Sequence, residues 1–363
     1  MVIAFYVEEM NLRGVANSIF LYSKYNEEII KNKSIIFYNK KNNRHNNSVI
    51  KKFKKKFKVL AINNFSEIEN YHNKFKIKYI YTQTGGEKTN EISNKIKTLV
   101  HFVYPQKFSE MHGHRYISVS NWLSKQFTNN RIPVLPYIVE LNKTKKDLRK
   151  KLKIKKNQFT VGCHGGESSF DMKFAQDTLL DLVNKKNDIT FIFLNIKKFC
   201  NHSRIIFLKG TSDEILKKKF LNSCDAMIYG RSLGETFGMS CGEFAVLNKL
   251  IISYKYNRHR SHIDYLSKNY YVEYHSRKSL FNILNNFNKK HKLLKNEKND
   301  YLKCTPKIIM KNFKNLLLDQ RSKIKISIYD YTINFIGFIK MNYYYSRHKI
   351  YNHFYKFIES KFL

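Results

Sequence analysis

Two carboxylates eight positions apart, Glu235 and Glu243, bracket a short segment that could do chemistry: Arg231-Ser-Leu-Gly-Glu-Thr-Phe-Gly-Met-Ser-Cys-Gly-Glu243. An ionised carboxylate only accepts hydrogen bonds, so beside a phosphate pocket it suits the hydroxyls of a sugar or ribose and not the phosphate itself. The glycines of Gly234-Glu-Thr-Phe-Gly238 let the backbone approach a bound group. Gly238 opens a helix whose free N–H groups and dipole favour an anion such as a phosphate. Arg231 adds a cation a few positions upstream. Hydroxyl acceptors beside an anion site describe a ligand with both sugar and phosphate.

The elements that must position these residues are legible around them. Cys224-Asp-Ala-Met-Ile-Tyr229 is an apolar run of strand length, residues 239–247 run as a helix, and Leu250-Ile-Ile-Ser-Tyr254 is the next strand. That β-loop-α-β unit aims a helix start at a ligand above a parallel sheet. The same order recurs upstream. Phe159-Thr-Val-Gly162 is a strand, Cys163-His-Gly-Gly-Glu167 a loop carrying Gly165 and Gly166, and a helix with Lys173 near its start runs to about 186. Residues 189–195 and 204–208 are further strands, and Thr211-Ser-Asp-Glu214 starts a helix with N-cap chemistry.

The N-terminal part repeats the alternation. Residues 2–7 are a strand, 8–14 a loop, 15–31 a helix and 34–38 a second strand. That loop holds Arg13 and a single glycine, Gly14, so a dinucleotide site of the Gly-x-Gly-x-x-Gly type is poorly supported. Residues 39–58 are polar and lysine-rich. Strands at 59–62, 78–82 and 98–103 follow, with helices expected between them. Gln83-Thr-Gly-Gly-Glu87 falls at a strand's carboxyl end, where open α/β sheets place ligands. His101 is either a buried structural residue or a site residue. His112 and His114 flank Gly113, but two histidines without a carboxylate pair do not make a metal site. An extended segment at 132–138 precedes a lysine-rich linker at 142–157, which places a domain boundary near 140.

The length of 363 residues suits two domains, and 42% hydrophobic residues mark a globular chain. The first residues lack a basic leader and read as a strand. Five cysteines without Cys-x-x-Cys spacing point to a reducing, cytoplasmic setting with no structural zinc. Net charge is 67 − 28 = +39. Abundant Lys, Asn, Ile, Phe and Tyr reflect A/T-rich codons in part, yet Asp and Glu share that bias, so an anionic partner is expected. No signature of a nucleic-acid-binding module is present, which disfavours nucleic acid as that partner. A helix starts at Thr305-Pro306, and residues 320–363 mix Lys and Arg with Tyr, Phe and Ile. That tail is either a closing helix or a contact for an anionic membrane surface or another partner.

Glu235-x-Phe-Gly-x4-Glu243, with Arg231 before it and a strand on each side, resembles the E-x7-E signature of retaining GT-B glycosyltransferases of family 4 (group 1). The resemblance implies an α/β GT-B fold of two facing Rossmann-like domains with a cleft between them. Residues 1–140 would form the acceptor side, 141–319 the nucleotide-sugar domain and 320–363 a helical basic and aromatic tail. It implies a nucleotide-sugar donor as substrate, no further cofactor, no metal, and transfer with retention to a glycan or lipid-linked acceptor. Glu235 and the amides of Phe237 and Gly238 would hold the donor sugar and phosphate, and Glu243 the ribose hydroxyls. Lys173 would meet the diphosphate, with Arg231 or His164 replacing the arginine that relatives usually carry where this chain has Cys163. Arg13 and Gly14 are what remains of a glycine-rich first-domain loop, and His101 resembles a cleft histidine near the transferred sugar. Two rivals stand beside this reading. One is a nucleotide-sugar isomerase of the same fold, which needs further acid/base groups; the other is a basic nucleic-acid-binding protein.

Overall fold

A computed structural model describes residues 1–140, 145–287, 298–318 and 326–362. Two compact units emerge. The first comprises Met1–Glu140 and Lys303–Ile339, the second Leu141–Leu302 and Lys340–Leu363.

In the first unit, strands β1 (Val2–Val7), β2 (Lys33–Asn39), β3 (Lys58–Ile62), β4 (Ile77–Thr84), β5 (Lys97–Phe102) and β6 (Arg115–Ser118) form one sheet in the order β3-β2-β1-β4-β5-β6. Every pairing is parallel, beginning with Val2 opposite Lys33 and Ile3 opposite Ser34. β1 is buried along nearly its whole length, which is why it reads as a continuous apolar run and not an alternating one. Helices α1 (Gly14–Glu28), α2 (Asn47–Lys56), α3 (His72–Phe75) and α4 (Asn121–Thr128) make most of the connections. The α4 start has the cap its sequence announces: Ser120 Oγ accepts from the Leu123 amide at 3.2 Å. The helix expected between β4 and β5 is missing. Gly86 sits there at φ +113°, in the left-handed region, and the chain crosses instead as an irregular loop.

The second unit repeats the plan with β7 (Phe159–His164), β8 (Ile189–Leu194), β9 (Ile205–Leu208), β10 (Ala226–Tyr229), β12 (Leu250–Tyr254) and β14 (Tyr271–Tyr274). Their order is β14-β12-β10-β7-β8-β9, again parallel at every pairing. A two-residue parallel ribbon joins β11 (Gly234–Glu235) to β13 (His259–Arg260). The helices are α5 (Lys173–Lys185), α6 (Glu214–Ser223), α7 (Met239–Ala245), α8 (Ser261–Asp264) and α9 (Arg277–Asn286). The core is a stack of strand and helix side chains, among them Val161, Phe174, Leu179, Phe191, Ile228 and Ile252.

Helices α10 (Pro306–Leu318) and α11 (Ile328–Phe362) close the chain. They correct the linear division at 319. Phe313 of α10 packs on Phe5, Tyr22 and Tyr81 inside the first unit, so residues 303–318 belong to the first core, not to the second unit. Nor is the tail separate. Asn334 donates to the carbonyls of Gln106 (3.0 Å) and Phe127 (2.6 Å), and Asp330 accepts from Arg131 Nε at 2.9 Å, so the start of α11 completes the first unit. Further along, Tyr351 and Tyr355 pack on Phe174 of the second unit. Among the described residues no helix is long and apolar enough to cross a membrane.

Candidate functional site

The sheet order decides where a ligand can sit. In the second unit β7 and β10 are neighbours, and the chain runs outward from them in opposite directions. A crevice opens outside the carboxyl ends of strands at such a switch point. The loops that leave β7 and β10 are tied together there. The amide of Asp171 donates to the Gly230 carbonyl at 3.1 Å, and Asp171 accepts from the Ser232 amide (2.8 Å) and hydroxyl (3.0 Å). Asn257 Nδ2 holds the Arg231 carbonyl at 2.6 Å.

Two glycines in this region are required by geometry. Gly234 has φ +73°, and a Cβ there would run into the His259 carbonyl oxygen across the β11–β13 ribbon. Gly238 has φ +85°, and a Cβ there would lie 2.5 Å from Cβ of His262. Gly234→Ala therefore combines left-handed strain with a clash against backbone. It should lower stability by about 2 kcal/mol or more, read as a urea midpoint; an unchanged midpoint would show the ribbon to be adaptable.

Glu235 projects from β11 with its carboxylate partly exposed. Its Oε1 accepts from the Tyr229 hydroxyl at 2.8 Å and lies 3.2 Å from Arg231 Nη1, so the carboxylate is aimed by two donors. Burial pushes the Tyr229 phenol well up, which keeps it a donor. Behind it, the fully buried His262 ring lies 4.7 Å from the Tyr229 ring and 2.9 Å (Nε2) from Ser253 Oγ. Burial, aided by the charge of Arg260, lowers His262 to about 3, so this imidazole is neutral. The Phe237 side chain is buried against Tyr265 and Tyr301. Only its backbone is placed to act, and its carbonyl already accepts from the Tyr301 hydroxyl at 2.6 Å.

Glu243 on α7 is not the free acceptor that its spacing suggests. Lys217 Nζ of α6 reaches its Oε1 at 2.5 Å, and His164 Nε2, at the end of β7, lies 2.9 Å from its Oε2. The histidine contact is a close polar approach whose angle falls short of a well-aligned hydrogen bond. Burial alone would raise the Glu243 pKa. The Lys217 charge and the His164 contact outweigh it and hold the carboxyl at about 2, so Glu243 is ionised. Lys217 escaped the sequence reading because it is one of three consecutive lysines in α6, and nothing local says which of them turns inward.

The remaining second-unit residues fall at the same end of the sheet. Lys173 is the first residue of α5, with its ammonium on Asp177 one turn on. Gly165 and Gly166 form the β7–α5 loop, where the Gly165 carbonyl accepts from Asn195 at 2.6 Å and the Gly166 amide donates to Ser169 Oγ at 3.0 Å. Cys163 is buried, and burial pushes its thiol up, so it does not substitute for a cation; His164, the next residue, is the one that faces Glu243. α7 has only seven residues, so its dipole is a weaker anion trap than the sequence suggests, and α5 is the longer helix.

His101, Arg13 and Gly14 lie in the first unit. His101 is a core residue with no exposed surface, ringed by Tyr22, Tyr81 and Tyr137, with Nδ1 2.6 Å from the Tyr81 hydroxyl. Burial lowers it to about 3. That burial corrects the expectation of a catalytic histidine: an imidazole sealed in the core touches no sugar. Arg13 and Gly14 are exposed at the start of α1, beyond the carboxyl end of β1, and β1 and β4 are the switch pair of the first sheet. The Arg13 amide donates to Asn11 Oδ1 at 3.0 Å. Among the described residues no group of three or more His, Cys, Asp and Glu could hold a metal ion. His112 is bound to its own turn, with Nδ1 2.6 Å from the Glu110 carbonyl.

No protein-family model and no curated protein sequence matches the chain. Solved structures do match. A glycosyltransferase from Rickettsia africae shares 14% identity over 96% of this chain and 98% of its own, with a TM-score of 0.59. Alr3699/HepE from Anabaena, solved with UDP and glucose, shares 13% over 86% of this chain and 99% of its own, with a TM-score of 0.62. WaaG, a glycosyltransferase of lipopolysaccharide biosynthesis, shares 8% over 88% and 96%, with a TM-score of 0.54. With two parallel six-stranded α/β sheets in the same order as each other, the chain has the fold of GT-B glycosyltransferases.

Proposed function

We propose that the protein is a glycosyltransferase that takes a sugar from a nucleoside diphosphate donor and passes it to a glycan or lipid-linked acceptor with retention of configuration. One observation supports this above others: the 231–243 segment pairs Glu235 with Arg231 and brings Glu243 to His164 of β7 and Lys217 of α6, beside the strands where the second sheet changes direction. The similar fold of a protein solved with UDP and glucose makes a uridine diphosphate sugar the first donor to test.

In this reading the ionised Glu243 accepts the ribose hydroxyls. Glu235, aimed by Tyr229 and Arg231, accepts from the donor sugar. As the bond between sugar and diphosphate breaks, negative charge grows on the leaving phosphate oxygen. Arg231, Lys173 and the α5 start are the positive groups nearest in sequence to meet it, a role that electrostatic preorganisation fills without a metal. The acceptor hydroxyl oxygen forms the new bond to the sugar while its proton leaves with the diphosphate oxygen, and neither carboxylate acts as a glycosidase nucleophile. The free cysteines fit a reducing, cytoplasmic setting: Cys163, Cys224 and Cys241 are buried, with thiols pushed up by burial. The rival isomerase reading needs a titrating acid/base pair. The buried His259, opposite Gly234 in the β11–β13 ribbon, and His262 of α8 are held neutral and serve it poorly.

A thermal-shift panel of nucleoside diphosphates and their sugars tests the proposal, since a ligand that binds only the folded state raises its melting temperature. A shift with one nucleotide and its sugar, and transfer that continues in a strong chelator, are expected. No shift with any member, or activity that chelation abolishes and Mg2+ or Mn2+ restores, would overturn it.

A further inference from the structure

The last helix buries one face, which is partly polar, and leaves an apolar stripe on the opposite one. On the inner face Asp330, Asn334, Met341, His348 and Tyr355 are buried. The later part of the helix, which belongs to the second unit, is fixed there by polar tips: the Tyr355 hydroxyl donates to Asp177 at 2.8 Å, and the Tyr351 hydroxyl accepts from the Arg277 amide at 2.9 Å. On the other face Ile328, Phe335, Ile339, Tyr343, Ile350 and Phe354 are each more than half exposed. Their spacings of seven, four, four, seven and four residues put them on one stripe, because 3.6 residues make a turn. At ~1.5 Å per residue the stripe runs for about 40 Å. Soluble monomers rarely leave an apolar surface of that length uncovered.

Charge decides what covers it. From 331 to 358 the sequence has no Asp or Glu, and exposed Lys340, Arg347 and Lys349 flank the stripe. Arg347 is 5.4 Å from the Tyr256 ring centre and Lys349 4.7 Å from that of Tyr345, so aromatic rings hold both cations at the edges. A second copy of a chain with net charge +39 would bring like charges together along the whole stripe. An anionic lipid surface matches both features: rings and aliphatic groups enter the interface while cations meet headgroup phosphates. The inner face is committed to the protein, so the helix can only lie in the plane of that surface.

We propose that the outer face of α11 docks the protein on an anionic membrane surface. The proposal is independent of the glycosyltransferase reading. It places the protein where a lipid-linked acceptor is found, and donor binding in solution should be unaffected by its loss.

The test is flotation of the full chain with vesicles of phosphatidylcholine alone or doped with phosphatidylglycerol. Wild type should float with the doped vesicles and not with the neutral ones. The variant F335E/I339E/I350E/F354E changes only exposed positions and should lose about tenfold or more in vesicle affinity, with an unchanged melting temperature. Lys340→Glu with Lys349→Glu should weaken binding to doped vesicles as well. Ile308→Glu, exposed on α10, should not. The proposal fails if wild type floats with neither vesicle or with both equally, or if the four-site variant floats like wild type. It also fails if light scattering shows a wild-type dimer that the four substitutions dissolve without any vesicle binding, or if RNA and not the doped vesicle retains the protein through these residues.

Discussion

Replacing Glu243 with glutamine is expected to weaken nucleotide-sugar binding by about ten- to a hundredfold and to lower stability as well. The affinity loss follows from removing a charged acceptor, since hydrogen bonds to an ionised group are roughly twice as strong as neutral ones. The stability loss has a separate origin. Lys217 and His164 converge on this carboxylate, and the substitution leaves the Lys217 ammonium beside a neutral amide in a largely covered position. Breaking a fully buried pair costs roughly 3–5 kcal/mol; with Lys217 about a quarter exposed, about 2 kcal/mol is expected. The two effects separate in Glu243→Gln with Lys217→Met, which should recover most of the stability and none of the donor affinity. Isothermal titration with the donor and urea unfolding of the three proteins read this out. Donor affinity that survives in Glu243→Gln would remove the residue from the site.

Acid should unfold the second unit before the first. His259 and His262 sit there with pKa values lowered to about 3 by burial, against an ordinary value of 6.5. Their unfolded forms bind protons that the folded forms refuse, so stability falls as pH drops below 6.5 and keeps falling towards 3. Each costs about 1.4 kcal/mol per pH unit below 6.5, or about 3 kcal/mol together at pH 5.5. His348 acts in the same direction. Glu243 adds its own loss only as pH falls from about 4.5 towards 2. In the first unit His101 behaves alike, but Glu91 opposes it. Burial and the nearby Glu8 raise Glu91 to about 7, so its cost is present above pH 7 and is relieved as pH falls through 7. Calorimetry at pH 7.5 and 5.5 should show one transition moving down and the other nearly still, and Glu91→Gln should make the second move too. Transitions that shift equally in wild type would contradict this account.

How much was legible beforehand depended on how local each cause was. The strand–loop–helix units around Gly165 and Gly238 could be read directly, because continuous apolar runs and the glycines that interrupt them act over a few positions. The alternation of strands and helices likewise pointed to two parallel sheets. Glu235 and Glu243 stood out by type and spacing, but what each touches did not. Lys217 comes to Glu243 from another helix and His164 from another strand, and only packing brings them together. His101 sits on a strand whose residues are buried, yet a histidine at a strand's end reads the same whether it faces a ligand or three tyrosines. The return of residues 303–339 to the first unit has no local sign either, since Phe313 finds its partners near the other end of the chain. For α11, the apolar stripe is the exposed one and the buried face carries Asp330, Asn334 and His348, so the one-sided periodicity by which an amphipathic helix is recognised in sequence points away from the buried face. Which face is buried was decided by tertiary contacts: Asp330 meets Arg131, Asn334 two backbone carbonyls and Tyr355 Asp177, partners that lie far off in sequence.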